Sequence, residues 1–269
     1  MVKKLLKYDF SALSKPLIPM YIVMLSIALF NRIVQFFESD GVAYNIFFIS
    51  STVLFVISIA VSFVYTLAVC VVRFYKNLYS HQGYLTLTLP ARHSEHILSK
   101  LISSVCAMAV TLLAVIISVS VCTAGDVFGE IIKAALYIFK QYFRLTKVHG
   151  AFYILEFILV LLATTVAELL TIFTSVTVGQ LAKKNRILLA FGVYFGIYVA
   201  WQIIETVLLI IGAVFVHTDI AEKLLDFIAE NTYQCIHIAL IGFLLIQLAV
   251  SFAGFFITRK IMRTKLNLE

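Results

Sequence analysis

Charge is scarce in this sequence. Charged residues make up 13% of its 269 residues, whereas soluble domains carry about a quarter. Hydrophobic residues reach 62%, and the mean hydropathy is +1.03. A single soluble core cannot enclose so large an apolar fraction, so we expect lipid to be the solvent for most of the chain. The composition therefore excludes an ordinary soluble domain and indicates a membrane protein.

Known catalytic and metal-binding patterns are also lacking. The sequence has no Gly-x-x-x-x-Gly-Lys-Ser/Thr phosphate loop, no Gly-x-Ser-x-Gly elbow and no His-Glu-x-x-His helix. His93-Ser-Glu-His96 has no further nearby ligands, so we do not expect metal there. The 4 cysteines lack metal-ligand spacing and are expected to be inert thiols: Cys70, Cys106, Cys122 and Cys235. We expect no catalytic residue, metal or cofactor in this chain.

Long apolar runs are what the sequence does contain. A helix needs about 20 apolar residues to cross a hydrocarbon layer ~30 Å thick. Six runs meet this length, at 17–37, 43–72, 97–122, 151–179, 187–216 and 233–258. Backbone amides in lipid find no water, so runs of this kind are expected to be helical. The sequence predicts an all-α polytopic membrane protein with one transmembrane domain over 1–269.

The distribution of Lys and Arg predicts the orientation. Basic residues concentrate at 1–15, 73–100, 183–186 and 259–265, while acidic residues favour the intervening loops. Positive loops stay in the cytosol, so both termini are predicted to be cytosolic, with the first run as an uncleaved anchor in the cell membrane. The net charge of +7 follows from this asymmetry and indicates no nucleic-acid partner.

Two further segments are amphipathic. Residues 1–15 place Lys3, Lys4 and Lys7 opposite an apolar face, which predicts a helix lying in the plane of the inner leaflet. The outer loop 123–150 repeats its cations on one helical face, at Lys133, Lys140, Arg144 and Lys147. It predicts a second interfacial helix, with a substrate gate as the alternative.

Polar residues within the runs form faces that must meet protein or water. An ionisable group near the bilayer centre costs roughly 2.5–3.5 kcal/mol, so such groups are functional candidates. The candidate pathway lining consists of Ser51, Ser58, Ser62 and Tyr65 in the second run, Glu168 and Thr171 in the fourth, and Tyr198, Gln202 and Glu205 in the fifth. The alternative is hydrogen bonding between helices. Glu156 is placed near the outer interface, and Gly192-x-x-x-Gly196 predicts a close helix contact.

The cytosolic loop 73–100 carries an unusual motif. Gly83 permits a sharp turn, Pro90 ends the segment, and leucines alternate with threonines between them. This apolar segment predicts docking onto a partner protein or onto the chain's own helices. The motif Gly-Tyr-Leu-Thr-Leu-Thr-Leu-Pro at 83–90 is followed by Ile-Leu-Ser-Lys-Leu at 97–101. Together with the basic start and six runs, it resembles the permease subunits of ABC-2-type transporters, including bacitracin- and lantibiotic-type exporters.

The resemblance implies partners that composition does not. In such permeases the first cytosolic loop docks on a separate ATP-hydrolysing subunit, which would hold ATP and Mg²⁺. Carried over, the coupling residues are Gly83, Tyr84, Leu85, Thr86, Leu87, Leu89 and Pro90. Residues 1–15 resemble the family's elbow helix. Two permease copies, identical or related, would enclose a path between their second and fifth spans. His81-Gln82 replaces an acidic residue that often precedes the glycine.

The expected function is therefore the permease subunit of an ATP-driven exporter. Two alternatives stay open. An ion- or proton-coupled carrier would use Glu168 or Glu205 as its proton site, without an ATPase. A scaffold or sensor subunit would only dock a cytosolic partner through 73–100. The sequence selects no substrate, because peptide, lipid and drug export all suit a mixed aromatic and polar lining.

Overall fold

The structure is a computed structural model. It describes residues 2–37, 41–80, 92–123, 148–182, 184–215 and 219–264, together with 130, 133–134, 136–138 and 140–141. Regular structure within these ranges is entirely helical. The continuous helices are α1 (Val2–Phe36), α2 (Val42–Tyr79), α3 (His93–Cys122), α4 (Val148–Gly179), α5 (Arg186–Phe215), α6 (Asp219–Glu230) and α7 (Thr232–Thr264).

Six of these helices are long and apolar enough to cross a membrane. They are all but α6, which has 12 residues. Each of the six contains one of the predicted apolar runs, although two of the runs extend one residue beyond the carboxyl end of their helix. This agreement confirms the all-α, six-helix prediction. Their lengths of 30 to 38 residues exceed the minimum span. The side of the membrane on which the termini lie stays a prediction.

The first helix extends well before the apolar run that predicts it. α1 begins at Val2 and continues without a boundary at residue 15, although Pro16 and Pro19 lie inside it. The first described residues belong to this continuous helix, and Lys3, Lys4 and Lys7 are exposed. A placement of 1–15 in the membrane plane stays a prediction.

The chain divides into two compact units, Met1–Arg144 and Leu145–Glu269. In the first unit α1, α2 and α3 each pack against the other two. One apolar cluster joins the first half of α1 to the second half of α2 and the middle of α3, through Leu13, Leu17, Cys70 and Ala107. A second cluster joins the opposite ends of these helices, through Ala28, Phe55 and Cys122. Consecutive helices are therefore antiparallel within the first unit.

In the second unit α4 is the central helix and packs against both α5 and α7. The two helices α4 and α7 approach closely at Gly254, where an added Cβ would lie 3.2 Å from Thr174 Oγ1. At the turn into α5, a Cβ on Gly179 would lie 2.6 Å from Ala190 Cβ. The prediction of a close helix contact at Gly192 and Gly196 is wrong within this unit, because nothing lies within 4 Å of a Cβ added at either position.

The outer loop 123–150 is described only in part. Its described residues at 133–134, 136–138 and 140–141 are helical, and Lys133 and Lys140 are exposed. Arg144 and Lys147 lie outside the described residues. The amphipathic helix, its interfacial location and the alternative of a substrate gate stay predictions.

Candidate functional site

A charged cluster lies buried in the first unit, where α1 and α3 begin and α2 ends. The Asp9 cluster consists of Asp9, Arg73, Ser99 and Lys100. Lys100 Nζ donates a hydrogen bond to Asp9 Oδ1, and Ser99 Oγ donates to Asp9 Oδ2 at 2.8 Å. Arg73 Nη2 lies 3.9 Å from Asp9 Oδ1. Only 4% of Asp9 and 7% of Lys100 is exposed, so each charge depends on the other for compensation.

The cluster ties together the helices that flank the loop with the Gly-Tyr-Leu-Thr motif. α2 ends at Tyr79, after Arg73, and α3 begins at His93, before Ser99 and Lys100, so the cluster lies within about two turns of both helix ends. The start of α3 is fixed locally, because the Arg92 backbone N–H donates to Glu95 Oε2 at 3.0 Å. The predicted coupling residues Gly83, Tyr84, Leu85, Thr86, Leu87, Leu89 and Pro90 lie outside the described residues.

Two further polar contacts join the same three helices deeper in the bundle. Midway, Thr111 Oγ1 of α3 lies 2.8 Å from Tyr21 Oη of α1 and 2.9 Å from Thr66 Oγ1 of α2. Near the other end, Asn31 Nδ2 donates to Ser51 Oγ at 3.1 Å, and Cys122 Sγ donates to Asn31 Oδ1 at 3.1 Å. Hydrogen bonds therefore connect α1 with α3 at three levels, whereas α2 is joined by an ion pair at the first level and by hydrogen bonds at the other two.

The candidate lining residues of α2 do not share one environment. Ser51 and Ser62 are buried against α1, and Ser62 Oγ lies 3.3 Å from Met24 Sδ. Ser58 is half-buried and donates to its own helix at the Phe55 carbonyl. Tyr65 instead is 39% exposed. The buried serines occupy the positions that hydrogen bonding between helices requires, and a pathway role for these residues stays a prediction.

In the second unit, the candidate Glu168 of α4 contacts α5 through Tyr194, four residues before the candidate Tyr198. Tyr194 Oη donates to Glu168 Oε1 at 2.5 Å, in an exposed position between the two helices. Thr171 is half-buried and bonds the Ala167 carbonyl. The remaining candidates on α5 are exposed and, like Glu168, await a functional test: Tyr198, Gln202 and Glu205.

A second acidic contact joins α4 to α7. His237 Nδ1 lies 2.8 Å from both Glu156 carboxylate oxygens, and the Tyr153 ring stacks on the imidazole with centroids 4.1 Å apart. Tyr153 Oη also donates to the Tyr233 carbonyl at 2.8 Å. Glu156 thus pairs with histidine, and its placement near the outer interface stays a prediction. Both side chains are about one-fifth exposed, at 19% and 20%.

Sequence reasoning missed Asp9 and His237. Asp9, Leu13 and Leu17 follow one another at steps of four residues on one face of α1, a spacing that could have marked Asp9 as buried. His237 carries no comparable signal. Across the described part of the chain, no group of at least 3 His, Cys, Asp or Glu residues is arranged to hold a metal ion. No protein-family model, curated protein or solved structure matches this chain.

Proposed function

We propose that this protein is the permease subunit of an ATP-driven exporter in a bacterial cytoplasmic membrane, with both termini cytosolic. A separate subunit hydrolyses ATP, and a second permease copy or a related permease completes the transport path. The proposal rests on the motif at 83–90 and on six helices of membrane-spanning length. Transport proceeds by alternating access, with nucleotide-driven movement of the ATPase pushing on the loop.

The observation that carries this proposal is the Asp9 cluster at the base of the loop. A force on the loop acts first on the end of α2 and the start of α3. Because Arg73 and Lys100 both face Asp9, these helix ends and the start of α1 are expected to move as one body. A coupling loop needs such a rigid attachment, since a flexible one would dissipate the displacement before it reached the spans.

The first test is purification of the full chain from its native membrane in mild detergent. We expect a phosphate-loop ATPase in stoichiometric amount, and we expect Leu87→Asp to abolish both its retention and its transport-coupled ATP turnover. Thr88→Asp is the matched control, because it places the same charge in the same loop outside the predicted coupling set. A clean chain without an ATPase, in detergent that preserves a known transporter complex, would contradict the proposal. So would equal loss with both variants.

A proton-coupled carrier is the second candidate, favoured by the acidic contacts of the second unit. Glu168 with Tyr194 and Glu156 with His237 place carboxylates beside titratable partners in helices of membrane-spanning length. In proteoliposomes without an ATPase, a carrier would show proton-driven uptake that Glu168→Gln abolishes. The exporter proposal instead expects no uptake without the ATPase. A scaffold would show neither activity and would tolerate apolar substitutions in all the polar faces.

A further inference from the structure

A groove runs between α1 and α2 beside the Asp9 cluster. It has a volume of about 510 Å³ and lies open to the exterior of the bundle. Its walls are mostly apolar, formed by Ala12 and Pro16 of α1 and by Ala68, Val69 and Val72 of α2, with Tyr65 and Asn77 as the uncharged polar lining residues. Arg73 and Lys76 line the same groove one turn further along α2. The groove therefore combines an apolar channel with a cationic end.

The local sequence explains why α1 and α2 leave this space open. Alanines at 12 and 68 contribute only a methyl group each to its lining. Pro16 has no N–H with which to bond the Ala12 carbonyl, and its ring replaces a longer side chain. The two helices are in contact below the groove through Leu13, Leu17 and Cys70. The groove is therefore open because the residues that line it are small, although α1 and α2 pack against each other nearby.

The positive charges of Arg73 and Lys76 in the groove exceed what the nearby Asp9 carboxylate can neutralise, because Asp9 also pairs with Lys100. Lys100 makes the direct hydrogen bond to Asp9, which compensates that charge. Arg73 lies at 3.9 Å, longer than a hydrogen bond, and its side chain is 25% exposed. Lys76 is exposed and has no acidic partner among the described residues. The end of the groove therefore presents unneutralised positive charge to whatever fills it.

We propose that this groove binds an anionic phospholipid. The phosphate contacts Arg73 and Lys76, and one acyl chain lies between α1 and α2 along Pro16 and Val69. Both helices are long and apolar enough to cross a membrane, so lipid molecules surround them and have access to an open groove on their surface. Basic residues at the end of a span lie at the level of the headgroups. This proposal does not depend on transport activity.

The test is native mass spectrometry of the purified full chain with added lipid. Phosphatidylglycerol is compared with phosphatidylcholine of the same acyl chains. We expect stronger binding of phosphatidylglycerol, reduced roughly fivefold for each cation removed in Lys76→Gln and in Arg73→Gln/Lys76→Gln. The single variant preserves the contact of Arg73 with Asp9, so an effect there is not an effect of unfolding. Arg259→Gln/Lys260→Gln removes the same charge at the exposed end of α7 and should leave binding unchanged.

A second variant separates a lipid site from a site for free anions. Ala68→Trp fills the groove without changing charge, and we expect it to weaken binding of phosphatidylglycerol at least as much as the loss of Lys76. Inorganic phosphate should not displace the lipid. Full displacement by phosphate, with Ala68→Trp binding normally, would reveal a soluble-anion site and overturn the proposal. Equal losses in the groove and α7 variants would also overturn it, by showing that net charge alone determines binding.

Discussion

Asp9 in the first unit and Glu168 in the second occupy different environments. In the first, Asp9 and Lys100 are almost fully buried and bond each other within a bundle of three mutually packed helices. In the second, Glu168 is exposed and bonds Tyr194 across a single pair of helices. Helix α5 packs on α4, yet no residue in its most apolar stretch of 18 residues is buried.

This difference separates two roles for polar residues in an apolar chain. A charge pair enclosed by three helices has little access to any ligand, and its removal should chiefly affect stability. A carboxylate bonded from one side keeps a face for water, substrate or a second chain. The first unit is therefore the better candidate for a rigid body, and the second unit carries the better candidates for chemistry.

Among the substitutions that test this difference, removal of the Asp9 carboxylate should lower the free energy of unfolding most. Asp9→Asn leaves the buried Lys100 ammonium without a counter-charge, which costs about 3–5 kcal/mol of the free energy of unfolding. Denaturant titration of the full chain in detergent measures this loss. The matched control is Lys4→Gln, which changes one exposed charge on the same helix and should shift stability by less than about 0.5 kcal/mol.

A double variant sharpens the same point. Asp9→Asn combined with Lys100→Met removes both charges, so it should be more stable than Asp9→Asn alone. If Asp9→Asn is no more destabilising than Lys4→Gln, the first unit does not depend on its buried charges, and the proposed distinction between the units fails.

The turn between α4 and α5 offers a test of intermediate size. Gly179→Ala would place a Cβ 2.8 Å from the Arg186 carbonyl oxygen, a backbone atom that cannot move aside without shifting α5. Such overpacking costs about 1–3 kcal/mol. Gly196→Ala is the control, since its Cβ meets nothing and alanine favours the helix by up to about 1 kcal/mol. Opposite signs in thermal stability are expected, and two stabilising substitutions would contradict this packing of α5.

The smallest effect is expected at the exposed contact of the second unit. Tyr194→Phe removes the hydrogen bond to Glu168, and bonds of this kind between membrane helices average about 0.6 kcal/mol. Tyr198→Phe, four residues further along α5, removes the same group from an exposed position and is the control. A loss of several kcal/mol for Tyr194→Phe alone in the unfolding titration would show that the second unit depends on this contact as the first depends on Asp9.

The candidate site was only partly accessible from the sequence. The polar residues of α4 and α5 were recognisable by helical spacing, and Glu168 does meet a tyrosine of the neighbouring face. The same spacing groups Tyr65 with Ser51 and Ser62, yet Tyr65 is exposed. The neighbouring Thr66 is the residue that is buried on this face of α2. A polar face spans several residues around a helix, and only packing selects which of them become buried.

The sequence by itself determined the six helices and, to within a few residues, most of their ends. Length and apolar composition are local properties, and lipid leaves the backbone no alternative to internal hydrogen bonds. Tertiary structure alone decided the pairing of Asp9 with Lys100, which are 91 positions apart, and of Glu156 with His237, which are 81 apart. Because lipid is as apolar as leucine, hydropathy does not specify how each helix is rotated, and packing and hydrogen bonding between helices do.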